Sequence, residues 1–307
     1  MSSASRASSR SSSTSTSPEM QFDLTDLVPG AVLLDGWTVQ KEAHQASLSS
    51  AWRITRPGPS GGGPEEQLLT VYPSWLFADR AQASAFAARL EQVAGTQHPA
   101  LHRTHEVVCT EEGTVLQRGA ALPGRSLRAF LREGERLSSA EGAALGAQVL
   151  AGLAALHGSG LVHGDLKPEH VFWDGDPEGA VVTAAGVTPA LWSTQHLGAR
   201  TQLVGTPFYA PLEQFSGDAP SPSSDVYNVA TTVYEAVTGE LPWTGRGFVE
   251  VFQSKMTPLE PMAAAARRAG LDPGFDAALR AALAPRRQDR PADAAAALEI
   301  LQQLQAT

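Results

Sequence analysis

His163, Asp165, Lys167 and His170, side chains able to carry protons or charge, fall within LVHGDLKPEHVF at 161–172. Carboxylate, ammonium and imidazole are the groups from which acid–base and anion-binding sites are made. Three further histidines, His98, His102 and His105, have the spacing H-x3-H-x2-H, superficially that of a metal site. Gly61, Gly62 and Gly63 could suggest a phosphate loop, but no Lys-Ser/Thr follows them. An exposed strand connection is the expectation there. Cys109 is the single cysteine, which excludes an internal disulfide framework and a cysteine-based zinc finger. It reads as a small core hydrophobe.

The frame that must position these groups is 307 residues long, enough for one large domain or two lobes. Lys plus Arg is 23 and Asp plus Glu is 32, a formal net charge of −9. Such a surface does not draw in nucleic acid or anionic lipid. A hydrophobic content of 42% supports a real core. No run reaches the roughly 18 apolar residues of a membrane span, and the N-terminus lacks the apolar segment of a secretory signal. A cytoplasmic protein is expected, with no nucleic-acid or membrane partner.

Residues 1–18 are almost entirely Ser, Thr, Ala and Arg and read as a disordered tail. Five short segments rich in Val, Trp, Thr and Leu, at 37–40, 51–55, 68–72, 104–109 and 114–117, are strand-like. An Ala-rich stretch at 79–94 places Phe86, Leu90 and Val93 at helical spacing. Ser138 with Glu141 forms a capping box, and the helix it opens carries Leu145, Val149, Leu153 and Leu156 on one stripe. Val226, Val229, Val233 and Val237 predict a second helix with a buried face. The chain therefore reads as a small strand-rich lobe followed by a larger helical one.

LVHGDLKPEHVF resembles the catalytic loop of the protein-kinase superfamily, H-R-D-L-K-P-x-N, with Gly164 in place of the arginine. GTPFYAPLEQ at 205–214 resembles the end of the family's activation segment, with Glu213 at the glutamate of A-P-E. Asp225 resembles the aspartate that braces the catalytic loop, and Arg290 the late arginine that pairs with Glu213. The likeness is to bacterial eukaryotic-like serine/threonine kinases. It implies an α+β, two-lobed fold: a five-stranded N-lobe with one main helix at 34–118, a hinge at 119–124 and a helical C-lobe at 125–307, after a lead-in at 19–33. His163, Glu213, Asp225 and Arg290 are then structural braces, and the three spaced histidines are spread over a loop and a strand start.

Against that family, the charged machinery of phosphoryl transfer is thinned. His44, Ala46 and Ser49 stand at the glycine-rich loop positions. The third-strand lysine falls on Thr70, and its helix glutamate, counted back from His98-Pro99, on Arg89. The metal-binding aspartate falls on Ala184 and the second metal ligand on His170. Asp165 and Lys167 remain in place as vestigial catalytic residues. The resemblance with these departures implies a pseudokinase that takes neither ATP nor Mg²⁺, or takes them weakly, and that scaffolds or regulates a protein partner such as an active kinase. Two alternatives stand beside it. One is a divergent active kinase using Arg53 or Lys41 with Asp174 or Asp176. The other is a sensor binding a nucleotide or other ligand without metal. Thr188, Ser193, Thr194 and Thr201 are candidate phosphorylation sites in the activation segment.

Overall fold

The structure is a computed structural model. It describes residues 27–33, 36–45, 48–58, 62–194, 207–245, 247–257 and 272–305. The tail at 1–18, Ala46, Thr201 and Thr206 lie outside the described residues, as does most of the lead-in.

Five strands build one antiparallel sheet: β1 (Thr38–Gln45), β2 (Ser50–Arg56), β3 (Glu65–Tyr72), β4 (Thr104–Cys109) and β5 (Val115–Ala120), in the order β1-β2-β3-β5-β4. Side chains alternate across a pleated strand, so β3 serves two faces. Leu69 and Val71 join Trp37, Val39, Ile54 and Leu116 on one face. Tyr72 points the other way, into a cluster with Phe77, Phe86, Leu90 and Val115. That second face is roofed by α1 (Arg80–Ala94), whose N-terminus is capped by Asp79 accepting from the Gln82 amide at 2.9 Å.

The chain then crosses to a small three-stranded sheet, β6 (Arg125–Ser126), β7 (Val171–Trp173) and β8 (Val181–Val182), and to a helical lobe. Its helices are α2 (Leu127–Arg132), α3 (Ser139–Gly158), α4 (Val187–Thr194), α5 (Leu212–Phe215), α6 (Pro222–Thr238) and α7 (Phe248–Lys255), followed by helices Pro273–Ala282 and Ala294–Gln305. The capping box of α3 forms: the Ser138 amide donates to Glu141 Oε2 at 2.7 Å, and the Glu141 amide to Ser138 Oγ at 3.2 Å. α6 departs from its single valine face. Asp225, Asn228, Thr231 and Thr232 are buried along with the valines, because other elements enclose it on several sides. α3 is long and apolar enough to cross a membrane by length and composition, with hydropathy 1.3. Half of its apolar stretch is buried, and the helix packs on α6 and on Ala294–Gln305 as the core of the helical lobe.

Candidate functional site

The loop at 161–170 runs between α3 and β7, and its backbone is held from below by one carboxylate. Asp225, fully buried in the first turn of α6, accepts from the amides of His163 at 2.7 Å and Gly164 at 2.8 Å. His157, at the end of α3, reaches the same carboxylate through Nε2 at 3.1 Å, while its Nδ1 accepts from the Ala294 amide at 3.1 Å. The loop is thereby tied to three helices at once.

His163 is buried among these groups. Its Nε2 lies 2.9 Å from the Thr183 carbonyl, which can only accept, so Nε2 carries the proton. Its Nδ1 accepts from the Asp165 amide at 3.3 Å. One donor and one acceptor define a neutral imidazole, and burial pushes its pKa below the ordinary value. His102, under the β4–β5 edge, is likewise pushed down by burial. The unfolded chain takes up protons first as pH falls through about 6.5. Their contribution to stability is present above that pH and lost as pH falls toward the depressed folded values. The urea midpoint is therefore expected to drop between pH 7.5 and 5, with a shallower drop in His163→Gln; an unchanged slope in that variant removes His163 from the effect.

Asp165 and Lys167 form an ion pair at 2.7 Å, both largely buried. His170 donates from Nδ1 to the Asp165 carbonyl at 2.8 Å, so this imidazole spends a nitrogen on holding the loop. Gly164 adopts φ +88°, and a Cβ there would stand 2.5 Å from Pro189 Cδ and 3.3 Å from Pro220 Cβ. The missing arginine is thus explained by the packing of α4 on the loop. Gly164→Arg is expected to destabilise the chain by roughly 1–3 kcal/mol in urea unfolding, through overpacking and backbone strain. A loss below half a kcal/mol would show that α4 yields.

Between the two lobes is a cleft of about 80 Å³ whose lining includes Ala51, Leu68, Thr70, Glu169, Phe172 and Ala184. Thr70 reaches it because it shares a β3 face with Leu68 and Tyr72. Ala184 has φ +59°, the only positive φ of a non-glycine residue among the described residues. Only glycine, and at some cost asparagine or aspartate, enters this region readily, so the backbone here would accept an aspartate. Opposite β3, α1 buries Phe86 rather than Arg89. Phe86, one turn before Arg89, meets Tyr72 edge-on with ring centroids 5.0 Å apart. Arg89 is exposed on another face of α1 and donates to Gln92 at 3.2 Å. It borders a separate cavity of about 240 Å³ together with Trp192 and Ser193. The structure does not bring Thr70 and Arg89 together. Packing of Phe86 and Leu90 against the sheet sets this facing, which a count across a loop does not see.

The residues weighed as replacements lie elsewhere. Arg53 pairs with Glu66 at 3.3 Å across exposed strands, and Lys41 is exposed. Asp174 and Asp176 are exposed in the β7–β8 turn, where Asp176 accepts from the Glu178 amide at 3.0 Å. Among the described residues no three His, Cys, Asp or Glu side chains converge as a metal site. His98 accepts from the Ala100 amide, His102 bonds the Ala120 carbonyl, and His105 is exposed. Cys109 is half-buried beside the α1 cluster. Thr188 is buried and Ser193 exposed.

Farther along, Glu213 and Arg290 meet in a two-pronged ion pair, Nη1–Oε1 2.7 Å and Nη2–Oε2 3.0 Å. Two groups escaped sequence reasoning. Arg128 of α2 binds Glu169 at 2.9 Å, Glu235 at 2.8 Å and the Tyr209 hydroxyl, joining four segments. Lys255 is fully buried at the end of α7. Its sequence signal is a lysine four residues after Val251, on the apolar stripe of that helix.

A five-stranded lobe with one helix, a helical lobe, and a His-x-Asp-x-Lys loop between them define a protein-kinase fold. The model of the protein kinase domain family matches residues 79–301, and the chain belongs to that family. The serine/threonine-protein kinase PkaB of Streptomyces coelicolor is 31% identical over 193 residues, covering 60% of this chain and 46% of that protein. The serine/threonine-protein kinase PknL of Mycobacterium tuberculosis is 36% identical over 156 residues, covering 48% of this chain and 36% of that protein. The chain thus matches less than half the length of these bacterial relatives. In fold it resembles the crystal structure of the Mycobacterium tuberculosis PknI kinase domain, with a TM-score of 0.67 at 19% identity, covering 90% of this chain and 98% of that one. The two-lobed α+β architecture is borne out.

Family membership corrects one expectation, that of a cleft without ATP or Mg²⁺. The relatives are named serine/threonine-protein kinases, and that reaction consumes ATP with Mg²⁺. The expectation extended four side-chain losses to the whole cleft. Its walls at Ala51, Leu68 and Phe172 are apolar and suit a purine irrespective of those four positions. The fit to a metal is poorer: Ala184 offers no oxygen from its side chain, and His170 offers an imidazole already engaged through Nδ1.

Proposed function

We propose that this chain is a protein-kinase-family domain whose phosphoryl transfer is suppressed, and that it acts as a scaffold or regulator of another protein in bacterial serine/threonine-kinase signalling. The observation that carries this reading is the contact between β3 and α1. Where the family closes an ion pair over the nucleotide phosphates, β3 presents Thr70 to the cleft while Arg89 borders another cavity, and the two elements meet through Tyr72 and Phe86. Hydrocarbon cannot orient a triphosphate. Removing one preorganised charge-stabilising group typically costs about 10²–10³ in rate, although losses within one unit do not add. A nucleotide in the cleft is compatible with this role, as is a cytoplasmic setting. The roles of His163, Glu213, Asp225 and Arg290 as braces belong to the same proposal: they hold the shape a partner would recognise.

A second reading, an active serine/threonine kinase, is favoured by the intact Asp165–Lys167 pair and by the names of the relatives. One measurement separates them. Phosphate transfer from γ-labelled ATP with Mg²⁺ to a general protein substrate and to the chain itself is compared between the wild type and Asp165→Asn. Suppressed transfer leaves the two equal at background. A wild-type rate 100-fold above the variant would establish the enzyme instead.

A further inference from the structure

Lys255 is one of three lysines in the chain. Its Nζ donates to the carbonyls of Phe208 at 2.9 Å and Ala210 at 2.6 Å, and it lies 5.0, 5.2 and 5.6 Å from the ring centroids of Trp243, Tyr227 and Phe215. Burial drives its ammonium well below the usual lysine value; nearby Arg290 acts in the same direction and Glu213 opposes it. An apolar side chain would fill this volume without that desolvation cost. What an amine adds is donors to two carbonyls, 47 and 45 residues earlier in the chain.

Those carbonyls flank Tyr209. Its ring is buried, its own carbonyl accepts from Asn228 at 2.9 Å, and its hydroxyl meets Glu235 and Arg128. Arg128 in turn holds Glu169, which lines the cleft within the catalytic loop. We propose that Lys255 is a positioning residue: it pins Phe208–Ala210 to the helical lobe and so sets Tyr209 against the Arg128–Glu169 pair beside the catalytic loop. A continuous polar path then joins α7 to the cleft, whether or not phosphoryl transfer is suppressed.

The test is hydrogen–deuterium exchange of the full chain and its Lys255→Met variant, which keeps most of the stem volume and removes both donors. Amides of residues 208–215 are expected to exchange at least tenfold faster in the variant, while those of α3 keep their rates. Equal rates over 208–215 would mean that the amine only fills space, and the proposal falls. Should the variant fail to fold, amine acylation of the native wild type decides, since three lysines are readily resolved by mass spectrometry. An amine held between two carbonyls is acylated at least 100-fold more slowly than exposed Lys41, and comparable rates overturn the proposal.

Discussion

Replacing Asp225 by alanine is expected to cost about 3–5 kcal/mol of stability, because it leaves two buried N–H groups without an acceptor. The amides of His163 and Gly164 point into the helical lobe and share this one carboxylate. His157 loses its partner in the same step, so the grip of α3 on the loop loosens as well. Asparagine is not a rescue. Its single carbonyl oxygen can serve one amide, but its NH₂ then faces the other donor. Asp225→Asn is therefore expected to lose nearly as much as Asp225→Ala. Equilibrium urea unfolding measures both, and a loss below about 1 kcal/mol in either variant would show that the loop finds another acceptor.

The second large effect concerns Glu213 and Arg290. The arginine side chain is fully buried, stacks over Tyr227 at 4.7 Å and donates to the carbonyls of Ala284 at 2.6 Å and Pro285 at 2.8 Å. Those carbonyls satisfy hydrogens but do not cancel the charge. Glu213→Ala strands a guanidinium in the interior, at a cost of about 3–5 kcal/mol. Removing both charges together is a different matter, because the desolvation penalty of the pair disappears with them. The double substitution Glu213→Leu with Arg290→Met is expected to be at least 1–2 kcal/mol more stable than Glu213→Ala. A double variant as damaged as the single one would mean that the hydrogen bonds to Ala284 and Pro285, rather than the charge balance, dominate at this corner. Denaturant unfolding of the three variants reads this directly.

What was legible in the sequence follows from distance along the chain. The strands, α1, the capping box of α3 and the valines of α6 depend on residues a few positions apart, whose periodicity and capping chemistry act locally. The run LVHGDLKPEHVF resembled a catalytic loop because its groups are neighbours in sequence, and that resemblance carried the two-lobed fold with it. The facing of α1 was not local. The count from His98-Pro99 crosses a loop, whereas burial of Phe86 against Tyr72 is settled only when β3 and α1 pack.

Composition and motif by themselves determined the class of fold, the absence of a disulfide framework, and a catalytic loop that retains Asp165 and Lys167. Tertiary structure alone decided that Arg89 looks away from Thr70, that Gly164 lies under Pro189, and that Lys255 is sealed in an aromatic cage. Each of these depends on partners 12 to 47 residues away, brought close by packing whose energy belongs to no single segment. A pattern read along the chain records which side chains share a face, but the neighbour that face meets is chosen by the whole core.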